Sequence, residues 1–140
     1  MRLFRGLILA VVVTLLATGC ASQTAREIGI DKLSMRQAEK SLNKGIRQYE
    51  DGDLKAAQKS MLDALNLGLT FDSDKVLAHK YLAFIYCSSN QEKLCREAFR
   101  HAFELDPSFK LAPTEIGNPL WGPVYNGVRA ELASLGKIKP

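Results

Sequence analysis

The sequence predicts an all-α domain, and three observations carry that expectation. From Ser34 onward, apolar residues recur at helical spacing in separate stretches bounded by glycine, aspartate or proline. No stretch sustains the apolar–polar alternation with β-branched enrichment that marks a half-buried strand. A chain of 140 residues, 46% hydrophobic and 24% charged, suits one folded domain rather than two, and excludes wholesale disorder.

The first element is not part of the fold. Leu7 to Leu16 (LILAVVVTLL) is an uninterrupted uncharged run behind Arg2 and Arg5. It is too short to span ~30 Å of hydrocarbon, and it has the length of the h-region of a secretory signal, with the arginines as n-region. The run ends in Leu16-Ala17-Thr18-Gly19-Cys20, small residues before a cysteine, which resembles the lipobox of bacterial lipoproteins. Ala17 stands where leucine is most frequent in that family, and Leu16 lies one place early. The resemblance implies cleavage after residue 19, acylation of Cys20 and a lipid anchor. With Ala21 rather than aspartate next to the cysteine, it also implies sorting to the outer membrane, facing the periplasm. Removing residues 1–19 takes away two arginines and no acidic group, so the net charge falls from +4 by two. A balance so weak and evenly mixed excludes a nucleic-acid footprint, which needs a concentrated basic face.

Residues 20–33 comprise the lipidated cysteine and a polar stretch, Ala21 to about Asp31, that reads as a tether. The helical domain occupies 34–140. Ser34 and Gln37 have capping-box spacing, and Ala38, Leu42, Gly45, Ile46 and Tyr49 follow at helical intervals. Asp51-Gly52-Asp53 breaks this helix, and Asp53 caps the next, which carries Leu54, Ala57, Met61, Ala64 and Leu65 and ends near Gly68. A third helix runs from about Asp74 to Ser88. Ser89 and Glu92 make a second capping-box spacing before Leu94, Cys95, Phe99, Ala102 and Phe103, and Pro107 stops that helix. The tail begins extended and punctuated by proline. Asn118-Pro119 then reads as the start of a last helix to about Leu135, with Pro123 delaying or bending its first turn. That helix would cap the last hairpin, with Trp121 buried against it.

Two helix pairs in succession invite a test for repeats. Leu82, Ala83, Tyr86, Cys95, Phe99, Ala102 and Pro107 fall at spacings that resemble the tetratricopeptide repeat (TPR), over a unit Val76 to Phe109. The departures are His79 in the usual tryptophan place and Cys95 in that of a close-packed alanine. A weaker unit, Ala38 to Phe71, matches at Gly45, Gly52, Ala57 and Ala64, with Leu69 replacing the proline. The resemblance implies TPR-like antiparallel hairpins completed by the C-terminal helix, since two repeats cannot cover their own core. It further implies a protein-binding groove on the first helix of each pair, lined by Glu39, Leu42, Ile46, Tyr49, Leu77, Lys80 and Phe84. Leu42, Ile46 and Leu77 fit a core role equally well.

Residues with catalytic potential are thinly spread. His79 and His101 lack partner motifs, and Cys87 and Cys95 lack zinc-site neighbours. Glu39, Glu50, Asp51, Asp53 and Asp63 read as solvated faces or caps. There is no phosphate loop, nucleophile elbow or metal-binding helix motif. The expectation is therefore no enzyme, no cofactor, no metal and no small-molecule substrate. The sequence points to a protein-interaction adaptor whose partner lies in the cell envelope. The Trp121-Gly-Pro123 tail is similar to lipoproteins of type VI secretion, and pilus assembly is the other machinery such small TPR lipoproteins serve. The alternative is an obligate structural subunit of an envelope complex that uses no groove. Once Cys20 is acylated in an oxidising compartment, Cys87 and Cys95 have a single possible pairing, across the turn of the stronger hairpin. Cys95, in the alanine place, suits a small buried thiol as well.

Overall fold

The structure, a computed structural model, describes residues 21–139, with side-chain packing from residue 36 on. Residues 1–19, expected as a signal, and Cys20 lie outside the described residues. Among the described residues six helices follow one another: α1 Ala21–Glu50, α2 Leu54–Leu67, α3 Asp72–Ser88, α4 Glu92–Leu105, α5 Pro113–Ile116 and α6 Gly122–Ser134. They pack as antiparallel hairpin pairs, α2 with α3 and most extensively α3 with α4, and the described residues hold no strand. The all-α class holds. The chain divides at Ser34 into two units, and the core belongs to the second, Met35–Pro140. No described helix is long and apolar enough to cross a membrane.

Helix α1 starts at Ala21 rather than Ser34, so the stretch expected as a tether is helical and Ser34 caps nothing. No proline falls between Ala21 and Glu50, and extending a formed helix by one residue costs far less than starting one. The far end closes as anticipated at Gly52. At φ 82° it lets its own N–H reach the Tyr49 carbonyl at 3.0 Å, while the Asp53 N–H reaches that of Gln48 at 2.8 Å. Asp53 then caps α2 by accepting from the Ala56 N–H at 3.0 Å.

The α3–α4 turn departs from the Ser89–Glu92 reading. Ser89 is the C-terminal cap of α3, and Gln91 precedes α4 without a side-chain cap. Asn90 adopts φ 57°, its N–H bonded to the Cys87 carbonyl at 3.2 Å, and the Gln91 N–H closes on Tyr86 at 2.8 Å. Asparagine tolerates that left-handed conformation better than most residues, so a Schellman closure wins over a serine cap. Beside this turn Cys87 and Cys95 are disulfide-bonded, Cα to Cα 5.3 Å. Reducing the bond should cost about 2–3 kcal/mol, the chain-entropy value for so short a loop. Denaturation with and without reductant checks this, and an unchanged midpoint would remove the staple from the stability account.

Small residues set how closely the helices meet. A Cβ on Gly45 would stand 3.0 Å from the Met61 Cε and 3.2 Å from the Ser60 Cβ, so α1 and α2 touch almost backbone to side chain there. The Ser60 hydroxyl donates to Gln48 Oε1 at 2.6 Å across the same contact. Met61, Phe99, Phe103, Ile85, Tyr125 and Val128 are the largest fully buried side chains.

The tail also begins differently. Residues Pro113–Ile116 form one helical turn where the sequence suggested an extended run. Helix α6 starts at Gly122, not at Asn118-Pro119. Asn118 instead turns the chain by accepting the Leu120 N–H at 2.8 Å, and Pro123 sits in the first turn of α6. A side chain on Gly122 would run into the Ile116 carbonyl oxygen, so the corner requires glycine. Helix α6 docks on α4: Arg96 and Arg100 both bond the Glu131 carboxylate, at 3.0 and 2.8 Å, and Tyr125 stacks on Phe103.

Candidate functional site

The residues expected to line a groove separate into two groups. Leu42 and Phe84 are buried, and Ile46 and Leu77 pack half-buried on the core, so these apolar positions mainly hold the helices together. Glu39 is half-buried, one turn before Leu42 on α1. Tyr49, Lys80 and Phe84 do come together, where the end of α1 meets the middle of α3.

Three rings form the floor. Tyr49 meets Tyr81 edge-on at 5.0 Å between centroids, and Phe84 lies 6.3 Å from Tyr49 and 6.1 Å from Tyr81. The spacing explains Tyr81 and Phe84: residues three apart on a helix share a face. Lys80 Nζ lies 5.1 Å from the Tyr81 ring centroid and 5.6 Å from that of Phe84, within reach of the ring quadrupoles.

The tail covers this cluster. Glu115, at the end of α5, bonds Lys80 Nζ through Oε1 at 2.6 Å, with only 15% of the lysine and 23% of the glutamate side chain exposed. The other oxygen of Glu115 accepts the Ala112 N–H at 2.9 Å. Trp121 stacks on Phe84, centroids 4.3 Å apart and planes inclined by 23°, while its Nε1–H donates to the Glu115 carbonyl at 2.9 Å. Burial raises the Tyr49 hydroxyl above its ordinary pKa, with Tyr81 and then Glu115 adding to it. Burial likewise raises Tyr81, reinforced by Glu50 and Glu115. Both phenols therefore stay neutral hydrogen-bonding groups.

Sequence reasoning missed Tyr81, Glu115 and the placement of Trp121 over Phe84. Tyr81 was findable, since its neighbour Lys80 and Phe84 three residues on were already assigned to the groove. Glu115 carries no such signal: it is a lone acidic residue 35 positions from its partner.

The remaining titratable features lie elsewhere. His79 and His101 face each other at 5.2 Å between centroids, in a shallow depression of about 160 Å³ bordered by Leu62, Leu94 and Glu97. Burial lowers the His79 imidazole to about 4, with the His101 charge adding and Glu104 opposing. An imidazole takes up a proton near pH 6.5 in the unfolded chain, so the neutral folded form contributes stability that is complete above that pH and lost as pH falls toward 4. Midpoints of denaturation at pH 7 and 4.5 should differ less in His79→Gln than in the parent. An equal difference would take His79 out of the acid response. A larger open depression of about 470 Å³ has Lys110, Arg129 and Lys139 around it and shares no residue with the aromatic cluster. Among the described residues, no three of His, Cys, Asp and Glu gather to hold a metal.

The chain matches no protein-family model, no curated protein and no solved structure. What the arrangement can do chemically is bind: a shielded cation set in an aromatic floor accepts a carboxylate and an aromatic ring.

Proposed function

We propose that the chain is an outer-membrane lipoprotein, anchored through Cys20 and facing the periplasm, whose TPR-like hairpins act as a protein-interaction adaptor without catalytic activity. One observation carries the repeat reading. Gly45, Ala57, Met61 and Ala64 recur 38 residues later as Ala83, Cys95, Phe99 and Ala102, and every one of the eight is buried. Small residues at the first, second and fourth of these places, with a large one at the third, are what a stacked hairpin needs to pack on its neighbour. The face formed by α1 and α3 is then the groove side, and an extended segment or helix of a partner would lie along it. Secretion of type VI and pilus assembly are the envelope machineries this reading favours.

One observation supports a second reading, an obligate structural subunit without a peptide groove: Glu115 and Trp121 already occupy the aromatic floor. Site-specific photo-crosslinking in intact cells separates the two. A crosslinker at Glu39 should capture a discrete envelope protein if the groove side binds. Capture only from the exposed Leu94 would favour the structural subunit. No capture from either position would sink the adaptor.

A further inference from the structure

We propose that Tyr49, Lys80, Tyr81 and Phe84 form a recognition site for a partner segment bearing a carboxylate and an aromatic ring, which the chain's own Glu115 and Trp121 keep closed until such a segment displaces them. The inference rests on the adaptor reading and names the chemistry of its ligand.

The site's own occupant is the template. Lys80 is largely shielded from water and its ammonium meets one carboxylate, at 2.6 Å. Taking that carboxylate away without a substitute leaves a desolvated cation beside two ring faces, and an uncompensated shielded charge is far worse than a paired one. Any segment that replaces the tail must therefore bring an acid. Phe84 is only 2% exposed, in part because the Trp121 ring lies 4.3 Å from it. A replacement lacking a flat ring would open that face to water, and stacked aromatic pairs are worth more than their area alone.

The occupant is also built to leave. Helix α5 is one turn long and buries none of its residues. Ile116 and Leu120, the other large apolar residues of the segment, are 40% and 52% exposed, so they contribute little to its hold. Its two ends stay fixed independently. Leu111 is buried before it, and the Tyr125 hydroxyl, from α6 behind it, donates to the Phe109 carbonyl at 3.2 Å. Opening breaks the bond from the Gly122 N–H to the Asn118 carbonyl, 2.8 Å, and turns the Trp121 side chain out at the hinge, where its carbonyl still accepts the Tyr125 N–H. Residues 112–120 then swing off as a loop while the rest of the core stays packed.

Trp121 is the one tryptophan of the chain, so its emission reports the gate directly. The full lipidated chain in detergent micelles is titrated with a synthetic peptide copying residues 112–121, with phenylalanine at its last position. The expected result is a saturable red shift as Trp121 moves into water. A peptide carrying glutamine in place of its glutamate should bind at least about tenfold more weakly. In the protein, Glu115→Gln should tighten the parent peptide about tenfold, because a larger fraction of molecules is already open. No saturable shift in either the parent or the Glu115→Gln protein overturns the proposal, as does binding indifferent to the peptide's glutamate. Crosslinks from Glu39 in cells, together with a failed titration, would leave the adaptor standing and remove this site. A successful titration without any envelope crosslink would do the reverse.

Discussion

Replacing Phe99 with alanine should destabilise the helical domain by about 3–5 kcal/mol, the usual cost of emptying a buried aromatic site. Phe99 is fully buried on α4 and links three layers of the fold. Its ring meets Phe84 of α3 edge-on at 6.3 Å and Tyr125 of α6 at 5.5 Å. No smaller side chain spans both contacts, so the cavity would lie where the α3–α4 hairpin meets the last helix. Against a total stability of roughly 5–15 kcal/mol for a domain this size, that loss leaves a marginal protein. Because Phe84 also carries Trp121, the substitution should shift tryptophan emission even under native conditions. Chemical denaturation measures the first effect, with Leu120→Ala as the control. Leu120 is 52% exposed, so its truncation should change stability by no more than about 0.5 kcal/mol. A cost below about 1 kcal/mol for Phe99→Ala would mean that the last helix does not depend on this layer.

The helices were legible wherever local chemistry decides. Asp53 caps α2, Gly52 and Gly68 end the helices before them in left-handed conformations, and α4 stops before Pro107, each through backbone groups within a few residues. The start of α1 was misread because absence of an apolar stripe was taken as absence of helix, although nothing between Ala21 and Ser34 breaks one. The Ser89 and Asn118 readings failed for a shared reason. At each place two local devices compete for the same backbone donors, and the left-handed asparagine or the asparagine turn won. The candidate site was half legible. Helical spacing put Lys80 and Phe84 on one helix and Tyr49 among the lining residues, but spacing cannot say what lies on top. Glu115 and Trp121 reach the site only after the chain doubles back through Pro107 and Pro113, and the side chains that hold them come from α3, 35 or more residues away. Long-range ion pairs and stacks of this kind leave no periodic trace.

Membrane attachment should collapse when Cys20 is replaced by serine. The proposal places two acyl chains, as a diacylglycerol, on that thiol and a third on the amino group freed by cleavage before it, with the small residues Ala17 to Gly19 as the processing site. Each buried methylene contributes about 0.8 kcal/mol to anchoring, and a single myristoyl chain alone holds a protein only marginally. Three chains therefore anchor stably, whereas none leaves the protein to its folded surface. Among the described residues, no helix is long and apolar enough to cross a bilayer. The uncut signal of the Cys20→Ser protein still carries Leu7 to Leu16, so a crude membrane pellet is a poor readout. Two measurements avoid this: incorporation of labelled palmitate, and distribution between inner- and outer-membrane fractions on a density gradient. The parent should take up label and sediment with the outer membrane, while Cys20→Ser should take up none and leave that fraction. A variant that remains in the outer membrane after a high-pH wash would end the lipoprotein reading. The hairpin fold, which depends on residues 35 onward, would be untouched by that outcome.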